Sequence, residues 1–334
     1  MNYTIHMRII FLFIVLAFCY SITQASYIST ANTFVGISQN KLKPGLNNTN
    51  FYYMNFDSAN MNYILNTRFY ASQFKNYTTE NFLHSAAHNI TFSSCFFENI
   101  QLKNTKLSYL NLYSVIFKQA SFKRILFTNS TLKDVHFKNS TLKSVVFLNC
   151  DITNLELTGS NIDSIFIFNS TLDDASKESL EKYNVIVGYE AFTLAASKNK
   201  AIKNAKFELL DFGKLNLSTL KFNSTEFKFS TLDATVLRFS KFNNTTFFFT
   251  TFSKANLYKS LIKNSKFNYA SIIDSNFKDS LIKNTLIKDS KFTNVSFDKS
   301  KWENVTIKNS ICENCSFDSI STQNIKIINS VGFY

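Results

Sequence analysis

An apolar residue recurs at every fifth position along most of this chain. From Phe92 to Leu172 there are 17 such positions, all Phe, Leu or Ile; from Ile202 to Ile327 there are 26, and only Cys312 and Thr322 depart from Phe, Leu, Ile or Trp. A period of five matches neither the roughly 3.6 of a helix nor the roughly 2 of a strand. Sustained over this length, it predicts a solenoid of stacked coils. A second regular position lies two residues before each large one. The 19 such slots from Thr225 to Cys315 hold only Ser, Thr, Ala, Val or Cys. The unit reads small, polar, Leu or Phe, often Lys, often Asn, as in Asn129-Ser-Thr-Leu-Lys133 and Asn139-Ser-Thr-Leu-Lys143.

This two-slot unit resembles the pentapeptide-repeat family, whose motif runs small residue, polar residue, Leu or Phe, then two variable positions. The match covers about 205 of the 334 residues. It departs in detail: Ser or Thr leads here, where the family often has Ala followed by Asp or Asn. The resemblance implies an all-β fold, a right-handed quadrilateral β-helix with four pentapeptides per coil and one per face. Residues twenty apart would then stack about 4.8 Å from one another, the spacing of hydrogen-bonded strands. Large apolar side chains would fill the axis, and inward Ser and Thr hydroxyls would find partners among the corner backbone groups. Each coil would bury its core only against its neighbours.

The pattern divides the chain. Arg8 followed by the apolar run 9–18 and by Thr23-Gln24-Ala25, a small-x-small site, reads as a signal peptide over 1–25 cleaved after Ala25. Residues 26–49 carry the single proline, Pro44, beside Gly45 and read as a linker or irregular cap. Coils are expected over 50–172, irregular to about 91: Phe56 and Met61 keep one phase, Ile64, Phe69 and Phe74 another, and Phe82 begins the phase that later dominates. Between 173 and 201 the beat breaks. Leu172, Ala175, Ser176, Ser179, Leu180 and Tyr183 fall at helical spacing, and Val185 to Tyr189 reads as a strand. This insert either splits the solenoid into two stacks or packs on its side; the unchanged phase of the coils after it favours one continuous axis. Coils resume over 202–330, and 331–334 form an apolar tail.

Composition narrows the chemistry. With 6 Gly in the chain, glycine-rich phosphate cradles are excluded, and the turns must be made by ordinary residues such as Asn and Ser. Removal of the signal leaves Cys95, Cys150, Cys312 and Cys315, too few for a disulfide framework. Cys312-Glu-Asn-Cys315 has CxxC spacing, but both cysteines occupy inward slots and read as two small buried residues. His84-Ser-Ala-Ala-His88 lacks the glutamate of a zinc-protease motif, and Asp173-Asp174 sits where a helix should begin, so both read as structural. No catalytic constellation, metal motif or cofactor motif stands out, which makes the chain a non-enzymatic scaffold in this reading. The alternative of an enzyme with a pocket at 173–200 rests on the break alone.

The net charge of +13 comes from lysines beside the large apolar slots, where side chains face solvent. A twenty-residue coil stacks Lys103, Lys123 and Lys143, and likewise Lys263 with Lys283 and Lys288 with Lys308. These columns keep a solenoid soluble. They are also the candidate face for a protein partner or an anionic surface, in keeping with a secreted effector or an envelope protein in the periplasm or beyond. Family members that protect topoisomerases present an acidic, DNA-like surface. The basic charge and the export signal argue against that role; the +13 charge would also suit nucleic acid, but nucleic acid is not the expected partner. The tip, with Val331, Phe333 and Tyr334, is a candidate contact for an end-to-end homodimer.

Overall fold

The computed structural model describes residues 32–35, 38–39, 49–58, 64–80, 82, 89–183, 185–198 and 201–333. The signal segment, Pro44-Gly45, His84, His88 and Tyr334 lie outside the described residues.

Short parallel strands alternate with tight corners, and the register sets the coil. Lys221 pairs with Lys241, Lys241 with Leu261, Leu261 with Leu281 and Leu281 with Lys301, each step being twenty residues. The central slots point to the axis as the five-residue beat requires; Phe222 and Phe242 stack there at 5.2 Å. The first coils are not twenty residues long. Asn32 pairs with Thr49, Asn50 with Arg68, and Arg68 with Thr91, giving steps of 17, 18 and 23 residues. Those unequal steps are the phase slips of the sequence. Within 26–49, read as a linker or irregular cap, Asn32–Val35 and Ser38–Gln39 already pair with the next coil, as a cap does.

Corners are made at one position, two residues after each central slot. There, 46 described non-glycine residues have φ between 46° and 66°, and Asn is the commonest of them. Asn tolerates this left-handed region better than other side chains, which explains how the chain turns with so little glycine. Its amide also joins coils: Asn284 donates to Asn264 at 3.0 Å, Asn304 to Asn284 at 2.9 Å and Asn324 to Asn304 at 3.0 Å. The inward hydroxyls find the corner backbone as expected. Ser275 Oγ accepts the Ala255 N–H at 3.0 Å and lies 2.8 Å from the Ile273 carbonyl and 3.1 Å from that of Phe252.

The insert divides the solenoid, so the expectation of one continuous axis fails. Two separate apolar cores result, one running from Phe51 to Leu180 and one taking in Ile202 to Phe333. An open stack end exposes core and strand edges. Helix α1 (Asp174–Glu181) closes the end of the first stack, burying Leu180 in its core. Asp173 caps α1 by accepting the Ser176 N–H at 2.9 Å, and Ser176 Oγ accepts the Leu155 N–H at 2.9 Å. After the expected strand Val185–Val187 comes a second helix, α2 (Gly188–Ser197), absent from the sequence reading. It closes the start of the second stack: Phe192 is fully buried, 5.6 Å from Phe207 and 5.4 Å from Phe212.

The second stack is docked on the side of the first. Leu126, Val146, Leu148, Phe166 and Phe168 point outward from the fourth face of the first stack, yet they belong to the second core. Phe166 meets Phe207 edge-on at 5.1 Å. Lys106 and Arg124 on the rim reach Glu208 and Glu226 of the second stack at 3.9 and 3.5 Å.

Candidate binding surface

The third face of the first stack carries the basic column. Lys103, Lys123 and Lys143 are consecutive register partners, and all three are exposed. None has an ion-pair partner among the described residues. Beside them run Gln101, Ser121 and Thr141, uncharged groups that give the face a flat polar floor. The docking of the stacks adds a fourth cation. Ser144, next to Lys143, donates to the Lys203 carbonyl at 2.9 Å, which brings exposed, unpaired Lys203 alongside the column. By the twenty-residue period alone Lys203 would lie three coils beyond Lys143; the insert and the docking of the second stack bring it beside the column instead.

The other predicted lysines behave differently. Lys263 stacks on Lys283, and Lys288 on Lys308, in the expected register. Lys283, however, lies 2.5 Å from Glu303, which Lys301 also reaches at 2.6 Å. Those two ammonium groups, Lys283 foremost, depress the Glu303 carboxyl to about 2. Lys288 pairs with Asp289 at 3.3 Å. One lysine of each column is thus neutralised from within, whereas Lys263 and Lys308 have no ion-pair partner among the described residues. At the tip, Val331 is exposed, whereas Phe333 is buried against Phe292 at 5.8 Å and belongs to the core. Phe333 is therefore a cap residue, which corrects its reading as part of an open tip.

Reading the fifth positions alone misses an aromatic ridge. Leu209, Phe229, Phe249 and Tyr269 occupy one corner of the second stack and are each at least 43% exposed. Phe229 stacks on Phe249 at 5.3 Å, and Phe249 on Tyr269 at 4.7 Å. Bulky residues at φ near 50° are outliers in a position that favours Asn. Their signal was present in the sequence as apolar residues in the variable corner slot.

The remaining chemistry is structural. Cys312 and Cys315 form a disulfide, with Cα atoms 5.9 Å apart, rather than the two separate thiols expected. The reason is local: one lies in a central slot and the other in the small slot of the next face, and both converge inside one corner. Cys95 and Cys150 are buried free thiols, raised by desolvation to about 12 and about 11. His136 faces carboxylates on both ring nitrogens, Asp134 at 2.8 Å and Glu156 at 2.9 Å. Asp173 and Asp174 serve the N-terminus of α1; Asp174 pairs with Lys177 at 2.8 Å. Among the described residues there is no group of three or more His, Cys, Asp or Glu able to hold a metal.

The five-residue period, twenty-residue coil and four faces define a pentapeptide-repeat β-solenoid. No family model and no curated protein sequence matches the chain. Solved structures similar to it include HetL, a pentapeptide repeat protein involved in heterocyst differentiation regulation from the cyanobacterium Nostoc sp. strain PCC 7120. It shares 10% identity over 69% of this chain and 87% of its own, with a TM-score of 0.27. A trypsin-treated form of QnrB1, a plasmid-mediated fluoroquinolone resistance protein, shares 13% identity over 89% of this chain and 90% of its own, at 0.22. Rfr23, a pentapeptide repeat protein from the cyanobacterium Cyanothece 51142, shares 10% identity over 38% of this chain and 88% of its own, at 0.14. Likenesses this distant carry nothing about function.

Proposed function

We propose that this protein is an exported, non-catalytic scaffold that holds an extended anionic partner along the Lys103–Lys123–Lys143 column. The observation that carries this reading is the convergence of those three unpaired lysines with Lys203 at the junction of the stacks. Like charges one strand apart repel, and a counter-charge from a partner relieves that cost. A flat floor of hydroxyl and amide groups beside the column suits a chain of anionic groups lying along the solenoid axis. Export is supported by the apolar run 9–18 and by Thr23-Gln24-Ala25. The test is retention of the protein, expressed from Ser26 onward, on an immobilised sulfated polysaccharide. Charge reversal at Lys103, Lys123 and Lys143 should abolish retention, while reversal at Lys263 and Lys308 should leave most of it. Equal retention of both variants would refute the reading.

A further inference from the structure

On the first face of the first stack, two faces round from the lysine column, one coil is notched. Outward residues there form two columns. One runs Tyr52, Tyr70, Ser93, Tyr113, the other Asn50, Arg68, Thr91, Asn111. Tyr52 and Tyr70 stack at 4.8 Å, the coil spacing. At the next coil the ring is missing, because Ser93 stands in the tyrosine column and Thr91 beside it. The result is a recess of about 540 Å³ running across the face, floored by Thr91 and Ser93 and walled by Arg68 with Tyr70 on one side and Asn111 with Tyr113 on the other.

We propose that this recess binds a uronate ring of an acidic polysaccharide. Tyr70 and Tyr113 are two coils apart, roughly 9.6 Å at the strand spacing. A ring entering at the Ser93 position would sit about 4.8 Å from each, within stacking distance. The free face of Tyr70 is electron-rich and suits the C–H face of a pyranose. Six of the residues that line the recess offer amides or aliphatic hydroxyls and none is aliphatic, which fits a polyhydroxylated ring better than an apolar one. Arg68 has no ion-pair partner among the described residues and supplies the fork for a carboxylate. This site is independent of the lysine column.

The test is calorimetric titration with tetragalacturonate and with its methyl ester, which keeps the rings but removes the charge. Saturable binding of the acid, with the ester at least about tenfold weaker, is expected from the loss of a charge-assisted contact. Ser93→Tyr should abolish binding while leaving the thermal transition unchanged or higher, since it completes a column of tyrosines. Arg68→Leu should weaken the acid at least about tenfold, to the level of the ester. The triple reversal at Lys103, Lys123 and Lys143 should leave this binding intact. No saturable binding, equal binding of the ester, or binding that survives Ser93→Tyr and Arg68→Leu but is lost in the lysine triple variant would each overturn the proposal.

Discussion

Arg124 on the first stack lies 3.5 Å from the carboxylate of Glu226 on the second, a contact that spans 102 residues of sequence. It marks the rim of a junction in which the outer face of one solenoid closes the open end of another. The partly exposed ion pair contributes little; the buried rings behind it carry the joint.

Phe168, fully buried between the stacks, is therefore the residue whose loss should uncouple them. Phe168→Ala should cost about 3–5 kcal/mol, whereas Arg124→Ala should cost under about 1 kcal/mol. Trp302, the sole tryptophan, sits in the second core and reports on that stack alone. In Phe168→Ala its fluorescence transition should separate from the far-UV circular dichroism transition; coincident transitions would argue that the junction is not the weak link.

The corners make a second prediction. Ala234 is exposed at φ 54°, where Asn is the favoured side chain. Ala234→Asn should stabilise by up to about 1 kcal/mol, and Asn284→Ala, which breaks two ladder bonds, should destabilise by about 1 kcal/mol. Denaturant midpoints at constant slope would measure both.

Acid should destabilise the second stack. The Asp298 carboxyl is held well below its ordinary range, chiefly by the Ser316 hydroxyl, with Lys278 and Ser296 adding to it; Glu303 lies at about 2. A carboxyl depressed in the folded state stabilises above its unfolded value, near 4, and loses that stabilisation as pH falls through the folded one. Wild-type melting temperature should therefore drop between about pH 5 and pH 2. The doubly neutral variant Asp298→Asn, Glu303→Gln should start lower at pH 7 and fall less over that window.

Thiol chemistry should follow burial. Cys95 and Cys150, desolvated and raised to about 12 and about 11, should resist iodoacetamide in the native state. Mild reduction should expose Cys312 and Cys315 alone, read by mass spectrometry as two alkylated sites among the four cysteines that follow Ala25. Labelling of Cys95 without denaturant would contradict the packing of its coil.

The coil, its core and the Lys103–Lys123–Lys143 register were legible because one period fixes them all. Asn in the corner slot was visible as composition, but its cause, the left-handed backbone, needed coordinates. The apolar residues flanking central slots, Leu126, Val146, Leu148, Phe166 and Phe168, were also in view. They break the rule that outward positions are polar, and they mark a covered face. What covers that face could not be read, because the direction of the second stack depends on how Phe192 and Tyr189 of α2 pack against Phe168. Lys203 joined the column for the same reason. The Cys312–Cys315 bond is not legible from inward slots taken one at a time, because it forms where neighbouring slots meet inside a corner.

The salt dependence of binding to long-chain polyphosphate tests the role of the lysine column most directly. Each lysine that neutralises a phosphate contributes about one unit to the slope of log affinity against log salt. Neutralising Lys103, Lys123 and Lys143 to Gln should lower that slope by about three and weaken binding at every salt concentration. An unchanged slope would mean that the column does not hold the anion, and the account would fail.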